Sequence, residues 1–244
     1  MKATLALLAY NEAAVIERVV REAAAQLRNS FAAGDWEVLV VNDGSQDATG
    51  AICDRLAEAI IGVRVVHHRP NRGYVEATLT ALRQSRGDFI CVFDGDGQHD
   101  ARDVPRLVAR LESGCDVAFG WKRARHDPLA RKLLSWGLRL TARYFLRSRL
   151  HDINAGCRAI RRERVEHLAV IRHRINFIGP ELYTRACLSD LRIGEVVVRH
   201  APRAGGASSH GWQRVPLEVW QVLCYLRALR AELRQSGKGR RFLP

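Results

Sequence analysis

Two carboxylates lie two positions apart in Asp94-Gly95-Asp96-Gly97, directly after the apolar run Phe89-Ile90-Cys91-Val92-Phe93. That run is too short for a buried helix and rich in β-branched and aromatic types, so it reads as a buried strand delivering acids at its C-terminal end. In an open α/β sheet, ligands collect beyond the carboxyl ends of the strands, which makes the position chemically favoured as well as acidic. The glycines relax the backbone enough for both acids to reach one hard divalent cation. Oxygen donors suit Mg²⁺ or Mn²⁺, and Mg²⁺ commonly takes one or two protein carboxylates, leaving its other positions to water and substrate phosphate. An isolated Asp-x-Asp is also a common surface turn, so the neighbouring segments decide between the two.

The elements that must position these acids repeat one rhythm. Ala3 to Ala9 is an apolar run followed by Tyr10-Asn11-Glu12, then by a helical pattern of Val15, Ile16, Val19, Val20, Ala23 and Leu27. Trp36 to Val41 is a second strand that ends in Asn42-Asp43-Gly44-Ser45, with Ser45 or Asp47 placed to cap a helix carrying Ile52, Leu56 and Ile60. Val63 to His67 is a third, leading to Asn71-Arg72-Gly73 and a helix through Leu79 and Leu82. Such alternation predicts an α/β fold with a mostly parallel, doubly wound sheet flanked by helices. Right-handed crossovers then bring Tyr10, Asn11, Glu12, Asn42, Asp43, Asn71, Gly73, Asp94 and Asp96 to one rim.

Further along, Val117 to Gly120 reads as a fifth strand and Ile193 to Arg199 as a later one. Leu129 to Leu150 is a basic amphipathic stretch of roughly six turns. It suits either a core helix with a solvated cationic face or a helix lying on an anionic membrane surface. Helices are also expected near Glu181 to Leu188 and, amphipathic, over Val215 to Leu233. The expected organisation is one domain over 1–235, in two halves at 1–125 and 126–235. A mobile basic tail at 236–244 follows.

Length allows a sizeable core. The six cysteines are scattered without a Cys-x-x-Cys, so neither zinc nor a disulfide framework is indicated and a reducing cytoplasm is the simplest home. Met1-Lys2 leads straight into a strand-like run unlike a signal peptide, and no run of about 18 apolar residues is present to span a membrane. The net charge of +13 and pI near 10.2 call for anionic partners, although compositional bias alone yields such values. No recognisable nucleic-acid motif accompanies the charge, and a nucleic-acid role would leave the acidic rim without a purpose.

The rim segments resemble family 2 glycosyltransferases of the dolichyl-phosphate mannose synthase type over about the first 125 residues. Asp94-Gly95-Asp96-Gly97-Gln98-His99 is similar to the family's metal and nucleotide-diphosphate motif, in which the Gln98 position also contacts the metal. Leu8-Ala9-Tyr10-Asn11-Glu12 resembles its Pro-x-Tyr-Asn-Glu, and Val41-Asn42-Asp43-Gly44-Ser45-Gln46-Asp47-Ala48-Thr49 its Val-Asp-Asp-Gly-Ser-x-Asp-Gly-Thr. The resemblance implies a GT-A nucleotide-diphospho-sugar fold with Asp94, Asp96 and Gln98 holding Mg²⁺ or Mn²⁺. It further implies that a GDP- or UDP-sugar is bound by Ala9, Tyr10, Glu12, Asn42, Asp43, Asn71, Gly73, Asp94, Gly95 and Asp96. Asp43 is the candidate acceptor for the donor edge of uracil or guanine.

In the second half, Gly120-Trp121-Lys122-Arg123 resembles the family's Gly-Ser-Arg turn, and Arg131 with Ser135 matches the acceptor-phosphate pair of the polyprenyl-phosphate branch. Asp152 to Ile160 resembles the segment that closes the sugar end of the site. Arg199 to His210 resembles a Pro-x-Arg-x-x-Gly-x-Ser loop, in which Arg203 and Ser208 would meet phosphate through charge-assisted bonds. The activity implied is metal-dependent, inverting transfer of a sugar to polyprenyl phosphate by an enzyme peripheral to the membrane, with Asp96 and Arg131 catalytic. Glu181, after Gly179-Pro180, falls where base-using relatives carry an acid, which keeps a carbohydrate-hydroxyl acceptor open. Leu8, Asn42 and Val75 depart from the family pattern, so a non-catalytic nucleotide-sugar binder is the third reading, and Glu76 near the base pocket is unaccounted for.

Overall fold

A computed structural model describes residues 1–123, 129–171, 177–202 and 215–235, with backbone alone for 129–135, 138 and 215–218. Its strands are β1 (Ala3–Ala9), β2 (Trp36–Asn42), β3 (Val63–His67), β4 (Phe89–Asp94), β5 (Val117–Lys122), β6 (Arg158–Arg161) and β7 (Ile193–Val198). They form one sheet in the order β3-β2-β1-β4-β6-β5-β7. Only β6 runs against its neighbours, so the sheet is mostly parallel. The helices are α1 (Ile16–Ser30), α2 (Thr49–Ala59), α3 (Tyr74–Gln84), α4 (Val104–Glu112), α5 (Leu129–Leu146), α6 (Val165–Leu168), α7 (Ile178–Leu188) and α8 (Val215–Gln235).

Every residue of β1 and β2 is buried, as expected of parallel strands covered on both faces. Alternate side chains supply two cores. Leu5, Leu7, Val38, Val40, Cys91 and Phe93 pack with α1, α2 and α4. Ala6, Leu8, Leu39, Val41, Ile90 and Val92 pack with α3, α5, α7 and α8 on the other face. This sandwich fixes the strand register, because a slip of one residue would exchange the two faces.

Three elements escape the sequence reading, one of them the single turn α6. α4 buries Val104, Leu107, Val108 and Leu111, a three-and-four spacing that was available to find it. β6 has only four residues, two of them arginines, and sits between β4 and β5. Its Arg158 is 1% exposed, against the usual preference of arginine for water. Neither capping candidate is the N-cap of α2, which is Ala48 without a side-chain cap, although Asp47 Oδ1, one residue earlier, accepts both the backbone N–H and the hydroxyl of Thr49. The basic stretch forms α5 only to Leu146, and Arg147, at φ 47°, ends it in the left-handed region.

Candidate active site

The loops that follow β1 and β2 are fastened to each other. Asn11 donates its N–H to Ser45 Oγ at 2.9 Å and accepts the Gln46 N–H through Oδ1 at 2.8 Å. Glu12 and Ala13 donate their N–H groups to Thr49 Oγ1 and Asp47 Oδ2. Asn11 is left-handed at φ 55°, a conformation that asparagine tolerates better than most residues. The fastening leaves the Tyr10 ring 45% exposed above the Ala9 strand end, whereas Glu12 is buried.

Asp43 is buried and its carboxylate is occupied by its own protein. Oδ1 accepts the Arg72 N–H at 2.9 Å and lies 2.6 Å from His68 Nδ1, while Oδ2 accepts from Gly73 N at 2.9 Å and Asn71 Nδ2 at 3.0 Å. A carboxylate offers about four acceptor sites, so these bonds use its capacity to shape the loop after β3. The Asn42 amide is similarly placed. Ser45 N–H points at its Oδ1, which turns Nδ2 toward His67 Nδ1 at 2.9 Å, and His67 Nε2 meets Asp54 at 2.8 Å. The acceptor role at His67 Nδ1 puts the ring proton on Nε2, facing the Asp54 carboxylate.

The acidic turn stands beside these loops. Gly95 N–H donates to Leu8 O at 2.7 Å, which seats the turn against β1, and Gly97 takes φ 77°, where a side chain would be strained. Asp96 Oδ1 accepts the Gln98 N–H at 3.1 Å. Gln98 Nε2 donates to Ala201 O at 3.3 Å, so its amide oxygen is the end left for a ligand. Asp94 Oδ1 accepts the Tyr74 hydroxyl at 3.0 Å. Burial, and then the neighbouring Asp96 charge, push the Asp94 carboxyl up to about 6, against the opposing pull of Arg158. Two crowded carboxylates and an amide oxygen fit a hard divalent ion that completes its shell with water and phosphate. Among the described residues no three His, Cys, Asp or Glu side chains converge as an all-protein cage.

Two residues absent from the sequence-based site close its floor. His99 is buried against Phe93 and His200, with Nε2 3.9 Å from Asp94 Oδ2. Burial, and then Lys122, His200 and Arg158, hold its pKa well below the usual histidine range, so the ring is neutral. Gly156 lies so close that a β-carbon there would overlap Asp94 Oδ2 and come within 3.0 Å of His99 Nε2. The bridge between His99 and His200, with Ala201 N donating to Gln98 O, brings the chain after β7 to the same turn just before Arg203.

Glu181, the candidate base, is instead an ion-pair partner inside the α7–α8 seam. Its side chain is 0% exposed, and its Oε1 accepts from Arg185 Nε at 2.9 Å and Nη2 at 2.5 Å. Arg185 also reaches Glu232 on α8 at 2.6 Å. Arg123 is exposed at the end of β5. Arg131 and Ser135 lie one turn apart in the first half of α5, where only the backbone is described, and Arg203, Ser208 and the tail at 236–244 fall outside the described residues. The departures Leu8, on β1, and Val75, on α3, are both buried in the core on that face of the sheet.

Residues 4–169 match the family described as glycosyl transferase family 2. The chain belongs to that family. Relatives of this family 2 member include the undecaprenyl-phosphate 4-deoxy-4-formamido-L-arabinose transferase of Pseudomonas paraeruginosa, 33% identical over 208 residues that cover 84% of this chain and 59% of the relative. The dodecaprenyl-phosphate galacturonate synthase of Rhizobium johnstonii is 29% identical over 198 residues, covering 79% of this chain and 58% of that one. The chain thus spans a little under three-fifths of the length of these two relatives. In fold it matches glucosyl-3-phosphoglycerate synthase from Mycobacterium tuberculosis, solved with Mn²⁺, UDP-glucose and phosphoglyceric acid. The TM-score is 0.68 at 21% identity, over 94% of this chain and 80% of the other. The fold is therefore that of the GT-A glycosyltransferases.

Proposed function

We propose that this chain catalyses inverting transfer of a sugar from a nucleotide-diphospho-sugar to a polyprenyl phosphate, with Mg²⁺ or Mn²⁺ held by Asp94, Asp96 and Gln98. The observation that carries the acceptor assignment is Glu181. A hydroxyl acceptor needs a base to take its proton, and a fully buried carboxylate forked by Arg185 is withdrawn from that task. A phosphate acceptor arrives ionised. Both relatives named above are called polyprenyl-phosphate enzymes, which supports the same choice.

The donor base would lie against the exposed Tyr10 ring, beside the loops that Asn42, Asp43, Asn71 and Gly73 shape. UDP- and GDP-sugars both remain suited to that edge. A bound cation would supply positive charge to the departing diphosphate, as the Mn²⁺ in the UDP-glucose complex of the solved relative supports. Arg203 and Ser208 would hold the diphosphate, and Arg123, Arg131 and Ser135 the acceptor phosphate. An oxygen of that phosphate then forms its bond to the anomeric carbon from the face opposite the leaving group. The bond from that carbon to the diphosphate oxygen breaks, and the nucleoside diphosphate keeps the electron pair. The assay is transfer of labelled sugar from UDP- and GDP-sugars into material extractable by organic solvent; label found only in water-soluble glycan would reject the proposal.

The floor of the site gives a second expectation. Gly156→Ala must push the Asp94 carboxylate aside, so turnover is expected to fall at least about tenfold through misplacement of the acid. Overpacking of this kind costs about 1–3 kcal/mol of stability, so the folded protein should persist in a thermal melt. Unchanged turnover would show that Asp94 does not need its present position.

Peripheral attachment to an anionic bilayer belongs to the same proposal. No helix among the described residues is long and apolar enough to cross a membrane. Trp136, Leu140 and Tyr144 nevertheless recur on one face of α5 and are 53%, 42% and 68% exposed, with Arg139 and Arg143 on the same helix. Aromatic and apolar side chains among arginines suit the headgroup boundary, where each cation contributes about 1 kcal/mol. Liposome flotation should rise with anionic lipid and fall with salt. Recovery away from lipid under all conditions would leave α5 as a core helix with a solvated face.

A further inference from the structure

We propose that Tyr74 and Arg158 are positioning residues that hold the Asp94 carboxylate in the orientation needed to bind a divalent cation. The inference rests on the cation reading of Asp94 and Asp96 and assigns a task to residues outside that set. Tyr74 opens α3, and its hydroxyl donates to Asp94 Oδ1 at 3.0 Å. Arg158 Nη2 donates to that same hydroxyl at 3.2 Å and to Ala155 O at 2.9 Å. A donor behind the hydroxyl polarises it and strengthens the bond that it makes in turn. The order is therefore guanidinium, phenol, carboxylate.

The burial of Arg158 is otherwise hard to explain. The residue opposes Val92 in the β4–β6 pairing and is 1% exposed, yet its Nε and Nη1 are buried without a hydrogen-bond partner. A buried cation with unmet donors opposes folding, and an apolar side chain of similar volume would commonly serve packing as well or better. What the charge does have is a route to Asp94 through one hydroxyl. Gly156 bounds the other oxygen, because a β-carbon added there would overlap Asp94 Oδ2. One carboxylate oxygen is tethered and the other is walled in. Groups that orient a metal-binding side chain in this way typically change metal affinity by about tenfold to a hundredfold when removed.

The decisive variant is Tyr74→Phe, which keeps the ring and deletes the hydroxyl. Binding of Mn²⁺ alone is followed by the electron paramagnetic resonance signal of the free ion, with Asp96→Ala as the reference for a broken site. Tyr74→Phe is expected to bind Mn²⁺ about tenfold more weakly than the parent, with its thermal midpoint in EDTA within a few degrees of the parent's. Arg158→Met, where it folds, should weaken binding in the same direction. Parent-like affinity in Tyr74→Phe, with Asp96→Ala impaired, would overturn the positioning role and leave the cation site standing. If the parent bound no more Mn²⁺ than Asp96→Ala, the cation reading itself would fall, and this inference with it.

Discussion

Replacing Asp96 by alanine is expected to lower turnover by at least about a hundredfold, an effect of roughly 3 kcal/mol or more on the barrier. The residue sits in the turn beyond β4, beside an Asp94 whose pKa its charge helps raise. Such a pair is expensive to keep without a cation between its members and useful with one. The Asp96 side chain accepts the Gln98 N–H at 3.1 Å, and loss of a hydrogen bond of this kind costs the fold about 1 kcal/mol. Initial rates and thermal melts on the purified variant separate the two effects. Turnover close to the parent's, retained in EDTA, would remove both the aspartate and the metal from the mechanism.

The second large effect distinguishes the acceptor classes. Arg131→Ala should cripple transfer to polyprenyl phosphate, since the proposal gives Arg131 and Ser135, four positions apart in α5, the task of holding the acceptor phosphate. Glu181→Gln should do nearly the reverse. It weakens the buried pair with Arg185, which retains Glu232, so the thermal midpoint should fall while turnover per folded molecule stays near the parent's. Were Glu181 a general base, its loss would cost about a hundredfold to ten-thousandfold in rate. A dead Glu181→Gln beside a nearly normal Arg131→Ala, each measured on folded protein, would reject the lipid-phosphate acceptor.

How much of this was legible before the fold depends on the kind of signal. The central strands announced themselves as apolar runs because both faces of β1, β2 and β4 are covered, and the rim loops followed from where those runs stop. β6 did not. Two of its four residues are arginines, and nothing local indicates that Arg158 lies in the sheet core. Asp43 was legible as an acid on the rim but not as a saturated one, since its partners Asn71, Arg72 and Gly73 arrive from a different loop. Glu181 was singled out by its position after Gly179-Pro180. Its pairing partners lie one turn along α7 and across on α8, and only the packing of those helices shows that its charge is spent on Arg185. Gly156 carries the same lesson, because its close approach to Asp94 joins segments far apart in sequence.

The most direct test supplies purified protein, Mn²⁺ and a labelled nucleotide-sugar with two acceptors that differ in one group, a polyprenyl phosphate and the corresponding polyprenol. Transfer to the phosphate alone, abolished by EDTA and giving a single lipid-extractable product, is the expected result. Equal labelling of the polyprenol, or labelling of a soluble glycan with none on the lipid phosphate, would contradict it.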